Sequence, residues 1–401
     1  MKNTSIQFTL PTESVTIFSK KLYPLAKTDT NSKITFTAHE NTVIAFFKSA
    51  IDDSGVQSHF EYIFQDVDVK TPGVTSVMAN DIADVILRYP NFKNPNKPHT
   101  KALNFIGKPE SLKIKTTVYW NENASPTNQQ LTISTVKLED TEETSPLHAE
   151  TVGDKSVLFG NNEFISAVDM CSFIKGDLTS KDEFGYWIHT EEDDVVMLAT
   201  DLRVASRFKL KPLSGSSKLD AVIGRSILNA IRTFIQGPEP VSVRTFKRVI
   251  YLESGNRKMA APLLKGDFPI NSEMFFKEST KLASVEIDSL SHILSHFLSI
   301  DKDPYHKTTF EFDSNSNVFK LCAGENGINN VDSLPASIEG SGQFDADATT
   351  FNSILPRLKK LGAVCEVSVD STESKSTLIT LTSQDSDARY LIRGLSRSNA
   401  G

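Results

Sequence analysis

Apolar residues recur at helical spacing in six places along the chain, and strand-like patterns fill the stretches between. ESVTIFSKKLY from Glu13, ADVILRYP from Ala83, NEFISAVDMCSF from Asn162, ILNAIRTF from Ile227, DSLSHILSHFL from Asp288 and NSILPRLK from Asn352 each predict a short amphipathic helix. KITFT from Lys33 and TTFEFD from Thr308 carry the period of two of a half-buried strand, and VVML from Val195 is a short apolar strand. QQLTISTV from Gln129, RKMAAPLL from Arg257 and RYLIR from Arg389 predict a strand beyond every second helix. The order helix, strands, helix, strands therefore occurs three times. The second helix of each set carries an Arg just after an apolar stretch, at Arg88, Arg232 and Arg357, spaced by about a third of the chain.

These repeats predict an α+β chain of three similar domains in series, 1–144, 145–275 and 276–401. EDTEETSP from Glu139 is acidic and poor in apolar residues, so it reads as the first linker. FPINS from Phe268 and FFKEST from Phe275 mark the second join, and NFKNPNKPHT from Asn91 reads as a surface loop. A chain of 401 residues is too long for one ordinary core. Its 39% apolar and 23% charged residues are those of a soluble globular protein. No apolar run approaches a membrane span, and the first residues lack the apolar stretch of a secretion signal. Cys171, Cys322 and Cys365 lie far apart, so neither a disulfide framework nor a zinc site is expected, in keeping with a reducing, cytoplasmic setting.

Catalytic patterns are weak. His292 and His296 sit four apart on one helix, the spacing of zinc hydrolases, but Ile293 occupies the place of the general base. HTEEDD from His189 reads as a solvated turn, and Asp66 and Asp68 as the polar face of a strand. No phosphate-cradling, dinucleotide-binding or nucleophile-elbow motif is present. The reading is a protein with no catalytic residues, metal or cofactor. The net charge of −7 argues against a uniformly basic nucleic-acid binder. The helix segments nevertheless carry more Lys and Arg than Asp and Glu, so the rest of the chain is more acidic still. A basic helical face on an acidic body suits contact with phosphates without reading of bases.

Three further motifs carry a resemblance. ATDLRVA from Ala199 is similar to the ATDxxRLA hairpin of the bacterial DNA polymerase III beta subunit family, the sliding clamps. LLKGDFP from Leu263 resembles that family's segment leading towards its third domain, and YLIRGL from Tyr390 its final strand. The resemblance implies three clamp domains per chain, each with two helices and two antiparallel sheets, and a head-to-tail homodimer closing a six-domain ring. Duplex DNA would thread the ring without regard to sequence. DNA polymerase, a clamp loader and other replication or repair proteins would insert peptides into an apolar pocket between the second and third domains. Matched motif to motif, that pocket would use Thr200, Arg203, Val204 and Ala205, then Pro269 and Met274, then Leu391, Ile392, Gly394 and Leu395. Thr200 and Arg203 would orient the peptide, while Val204 and Ile392 could equally be core.

Lys20, Lys21, Lys27, Arg88, Lys175, Arg225, Arg232, Arg357, Lys359 and Lys360 are the candidate DNA contacts. Phe297 and Leu298 resemble an apolar pair that packs on the neighbouring subunit, with Leu131 and Ile133 as the opposing surface. The family's Gly-His between Asp and Arg is replaced by Leu202 alone, and Gly394 occupies the place of a Pro in its tail. Such departures suggest a phage member working in the host cytoplasm. The rival readings are a clamp-fold scaffold that does not encircle DNA and a metal-dependent hydrolase built on His292 and His296.

Overall fold

The computed structural model describes residues 3–27, 31–49, 57–88, 98–120, 125–136, 147, 156–172, 185–201, 203–215, 217–265, 268, 270, 273, 275, 279–300, 306–315, 317–323, 330–370, 377–383, 386 and 388–395. All six predicted helices form: α1 (Thr12–Lys27), α2 (Ala79–Arg88), α3 (Asn161–Cys171), α4 (Arg225–Phe234), α5 (Ile287–Ile300) and α6 (Ala348–Leu358). Each buries the face that its apolar spacing marks. α4 buries Ile227, Leu228, Ala230, Ile231 and Phe234, and α6 buries Phe351, Ile354, Leu355 and Leu358. α6 begins where the Asp347 carboxylate accepts the Thr349 N–H at 2.8 Å, satisfying an orphan donor of its first turn.

The strands form four antiparallel sheets among the described residues. The chain divides into two compact units, the first built from Met1–Asn162, Pro212–Ser217 and Ser226–Leu263, the second from Glu163–Lys211, Lys218–Arg225 and Leu264–Gly401. Segment 145–275 contributes to both.

In the first unit an eight-stranded sheet runs in the order Val157–Phe159, Val241–Phe246, Val249–Ser254, Arg257–Pro262, His59–Phe64, Thr42–Lys48, Lys33–His39, Gly73–Met78. Its middle pairing, Met259 opposite Phe60, joins residues almost two hundred positions apart. Phe234 of α4 meets Phe47 and Phe60 edge-on, with centroids 5.6 and 5.1 Å apart, and Phe18 of α1 meets Tyr62 and Phe64 at 5.0 and 5.3 Å. These aromatic contacts clamp helices to sheet. The unit's second sheet has the path Thr127–Ser134, Ser111–Tyr119, Ala102–Lys108, Ile6–Pro11, Asp68–Thr71, with Thr127–Ser134 at its edge. Asp68 opens the last of these strands, whereas Asp66 lies before it with φ of 54°, so Asp66 belongs to a bend and not to a strand's polar face.

In the second unit a nine-stranded sheet runs Asp220–Ile223, Tyr186–Glu191, Asp194–Thr200, Val204–Leu210, Arg389–Arg393, Leu378–Ser383, Val364–Asp370, Thr280–Glu286, Ser337–Ile338. A four-stranded sheet runs Asn330–Pro335, Val318–Ala323, Lys307–Asp313, Gly342–Asp347. Phe310 packs on Phe351 of α6 with centroids 4.6 Å apart. Val204–Leu210 and Arg389–Arg393 are neighbours although far apart in sequence, and their junction is where the conspicuous hairpin sits. The acidic linker at 139–146 lies outside the described residues, as do 91–97 of the expected loop.

Candidate functional site

The hairpin is made by its aspartate. Asp201 Oδ1 accepts the N–H groups of Arg203 and Val204 at 2.9 and 2.8 Å, and the Asp201 N–H donates to the Val204 carbonyl at 3.1 Å. An Asx turn of this kind holds the chain in a tight reversal without glycine. The Thr200 hydroxyl donates to the same Val204 carbonyl at 3.0 Å and is buried. Thr200 and Asp201 therefore shape the turn, while the Arg203 side chain is exposed.

Alternation sorts the next residues into two faces. Val204 and Ile392 are opposite each other and buried, on the side of Ser206 and Tyr390. There the Tyr390 hydroxyl donates to the Met170 carbonyl at 3.0 Å, and Ser206 Oγ lies 3.5 Å from Cys171 Sγ of α3. Burial pushes the Cys171 thiol up to about 12 and the Tyr390 phenol well above its ordinary value, so neither ionises near neutrality. Val204 and Ile392 are thus core beneath the site. Ala205 and Leu391 face the other way, in an apolar cluster with Val196, Leu198 and Phe275, flanked by Trp187, Phe268 and Ile270.

That cluster brings the connecting segment to the hairpin. Pro269 and Met274 lie outside the described residues, but Phe268, Ile270 and Phe275 around them pack on it. Trp187 is the anchor. It stacks on Phe268 at 5.5 Å and on His189 at 3.6 Å, and its Nε1 donates to Asp220 Oδ1 at 2.8 Å. His189 and Arg207 share one carboxylate, since His189 Nε2 is 2.8 Å from Glu191 Oε1 and Arg207 Nη2 is 2.8 Å from Glu191 Oε2. Burial holds the His189 imidazole below its ordinary pKa, with Glu191 opposing. HTEEDD is consequently only partly a solvated turn, because His189 is buried under Trp187. Trp187, Leu198 and Phe275 were not singled out as site residues from sequence, although the alternation in YWIHTE and the apolar run in DVVMLAT contained the signal for the first two.

The tail closes the site. The Gly394 N–H donates to the Thr377 carbonyl at 2.8 Å, and the Leu395 N–H to the Asp345 carbonyl at 2.8 Å. A Cβ on Gly394 would come within 3.1 Å of the Thr377 carbonyl oxygen and 3.2 Å of that of Asp345. Proline there would both lose the hydrogen bond and crowd the two carbonyls, which accounts for its replacement. Leu395 is 36% exposed, two residues beyond the strand Arg389–Arg393.

The candidate DNA contacts divide by unit. In the first, an open groove of about 540 Å³ is lined by Ile17, Lys20 and Lys21 of α1 and by Asn229, Arg232, Thr233 and Gln236 of α4 and its exit. Lys20 and Arg232 are exposed, whereas Lys21 Nζ donates to the Gln236 carbonyl at 2.8 Å. Burial and then the nearby Arg257 hold the Lys21 ammonium below its ordinary pKa. Lys27 and Arg88 end their helices with side chains outside the described residues, and Lys175 lies outside them entirely. In the second unit Arg225 opens α4's first turn, half-buried. The α6 cations are engaged: Arg357 Nε donates to the Asp169 carbonyl at 3.2 Å, Lys359 pairs with Asp288 at 2.5 Å and Lys360 with Asp169 at 2.8 Å.

Of the expected interface residues, Leu131 is half-buried and Ile133 buried, on the edge strand Thr127–Ser134. Leu298 is half-buried at the end of α5. Phe297 corrects the expectation: it is only 1% exposed and spent on its own unit's core. The apolar side chains exposed nearby in sequence and on the edge strand Asn330–Pro335 are Ile300 and Val331. His292 and His296 are exposed, with His296 Nδ1 3.8 Å from Asp332 Oδ2, and no group of three metal-ligating side chains occurs among the described residues.

This architecture matches solved sliding clamps along their whole length. The DNA polymerase III subunit beta of Borrelia burgdorferi, solved in complex with a natural product, gives a TM-score of 0.77 at 16% identity, covering 99% of each chain. That of Pseudomonas aeruginosa gives 0.76 at 14% identity, covering 97% of this chain and 100% of its own. The beta sliding clamp of C. crescentus gives 0.73 at 12% identity, covering 98% and 99%. No family model and no curated protein sequence matches the chain. The fold is that of the DNA polymerase III beta sliding clamps.

Proposed function

We propose that the chain is a DNA sliding clamp: a non-enzymatic processivity factor, two copies of which close head to tail around duplex DNA and tether the replicative polymerase. The observation that carries the reading is the likeness in fold to sliding clamps over 97–99% of the chain. Tethering raises the polymerase's effective concentration at the primer end without any chemistry by the tether. Peptides of the polymerase, the loader and other replication or repair proteins would dock on the hairpin site, with Ala205, Leu391 and Leu395 receiving apolar anchors. The groove between α1 and α4 would meet phosphates through Lys20, Lys21 and Arg232. The domains 1–144, 145–275 and 276–401 would be the three repeats, and the open edges of Thr127–Ser134 and Asn330–Pro335 the strands through which copies pair.

The alternative is a scaffold that does not encircle DNA. The cations at and just beyond the end of α6 are tied to Asp169 and Asp288, which weakens the case for phosphate contacts there. Sedimentation and duplex binding separate the two. A clamp of 44.3 kDa chains sediments as a dimer, binds duplexes of unrelated sequence alike, and loses affinity with salt and on Lys20→Glu or Arg232→Glu. A monomer with no salt-dependent duplex binding supports the scaffold.

A further inference from the structure

We propose that the peptide taken by the hairpin site is acidic, with a carboxylate held between Arg203 and Arg393; this rests on the reading of that site as a peptide pocket. Val204 is opposite Ile392, Ala205 opposite Leu391 and Arg207 opposite Arg389. One step further along, the Arg393 N–H donates to the Arg203 carbonyl at 2.9 Å, so the ladder sets these two arginines across from each other as well. Residues two apart share a face of a strand, so Arg389, Leu391 and Arg393 line one face beside Ala205 and Arg207. Two arginine pairs flank an Ala–Leu step.

Like charges directly opposite each other destabilise a ladder. At the inner pair the chain supplies its own answer, Glu191 for Arg207 and the Phe275 carbonyl, at 3.1 Å, for Arg389. The outer pair has none: both side chains are exposed, and among the described residues neither forms an ion pair. The acidic groups close to them in the chain or the hydrogen-bond pattern are occupied. Asp201 Oδ1 accepts two backbone N–H groups of the turn, and the Asp345 carboxylate is taken by Thr309 at 2.7 Å and Lys307 at 3.3 Å. Two unanswered guanidiniums, two residues along the ladder from buried Ala205 and Leu391, with Arg393 two residues in sequence from the half-exposed Leu395, fit a peptide with an Asp or Glu next to an apolar anchor. Guanidinium and carboxylate meet through paired N–H donors, and the bound carboxylate relieves the repulsion. A nucleic-acid phosphate offers the charge but nothing for the apolar step.

Panning a random peptide library on the full-length protein, followed by fluorescence anisotropy of the selected peptides, tests this. The expected result is an Asp or Glu at one fixed place beside apolar anchors. Affinity should fall about tenfold when that acid becomes an amide, or in the Arg203→Gln, Arg393→Gln double variant. The unliganded double variant should melt slightly higher than the parent, which a merely structural role for the arginines would not produce. Peptides that lose affinity on Leu395→Ala but show no acidic position, and bind the double variant equally well, overturn the acidic preference and leave the pocket standing. Enrichment of no peptide, or of peptides indifferent to both changes, overturns the pocket as well. Single-stranded oligonucleotide bound by the parent and lost in the double variant, with no acidic peptide enriched, reassigns the pair to phosphate.

Discussion

Asp201 and Leu395 illustrate how two residues of the proposed peptide site would do different work. The Asp201 carboxylate is committed to the turn, so Asp201→Ala should cost about 1–2 kcal/mol of stability and weaken peptide binding through a loosened hairpin. Denaturant unfolding alongside anisotropy would show both losses together. Leu395 is half out of the core, and Leu395→Ala should weaken polymerase binding far more than it lowers Tm. Equal losses would make Leu395 a core residue.

His59 supplies a pH dependence. Burial and the Lys48 ammonium opposite it in the ladder push its imidazole down to about 4. Between the ordinary histidine pKa of about 6.5 and that value, the unfolded chain binds a proton that the folded chain does not. Stability is therefore complete above that range and falls as pH drops through it, by about 1–2 kcal/mol after allowance for solvent screening. In a comparison of melting curves between neutral and acid pH, His59→Gln should flatten the slope. ATDLRVA was legible as a candidate site because its motif is local, whereas the roles within it were not. Which face a strand residue takes depends on where Arg389–Arg393 pairs, and that partner lies almost two hundred residues away. Trp187 was missed for the same reason, since its partner Phe268 comes from a distant segment.

Helices were the elements most readily read, because each one's apolar stripe matches the face it buries. Strand edges were less so. Phe297 resembled an interface residue and is core, because the pattern of α5 fixes which side chains are apolar but not what covers them. Thr127–Ser134 offers the clearer test. Exposed and half-exposed on most of its length, it has a free edge ready to pair with another chain. Leu131→Lys should shift a dimer towards monomer in sedimentation with a change of less than about 0.5 kcal/mol in the stability of the isolated chain. A dimer that is unmoved would place the interface elsewhere.

Across the whole chain, the alternation of helices and strands was legible in the sequence, while the strands assemble into four antiparallel sheets among the described residues. The pairings Val204 with Ile392 and Met259 with Phe60, which run sheets across the expected domain joins, were not legible, because they depend on long-range register. Acidity overall with cations gathered on α1 and α4 suits loose, sequence-blind contact with DNA. The proposed function is topological: a closed ring would be held on DNA by enclosure and not by affinity. The direct measurement is retention of loader-assembled protein on nicked circular duplex at high salt, before and after a single cut linearises the circle. A closed ring stays on the circle and leaves from the free ends after the cut. Loss from the intact circle at that salt, or retention undiminished by linearisation, would contradict it.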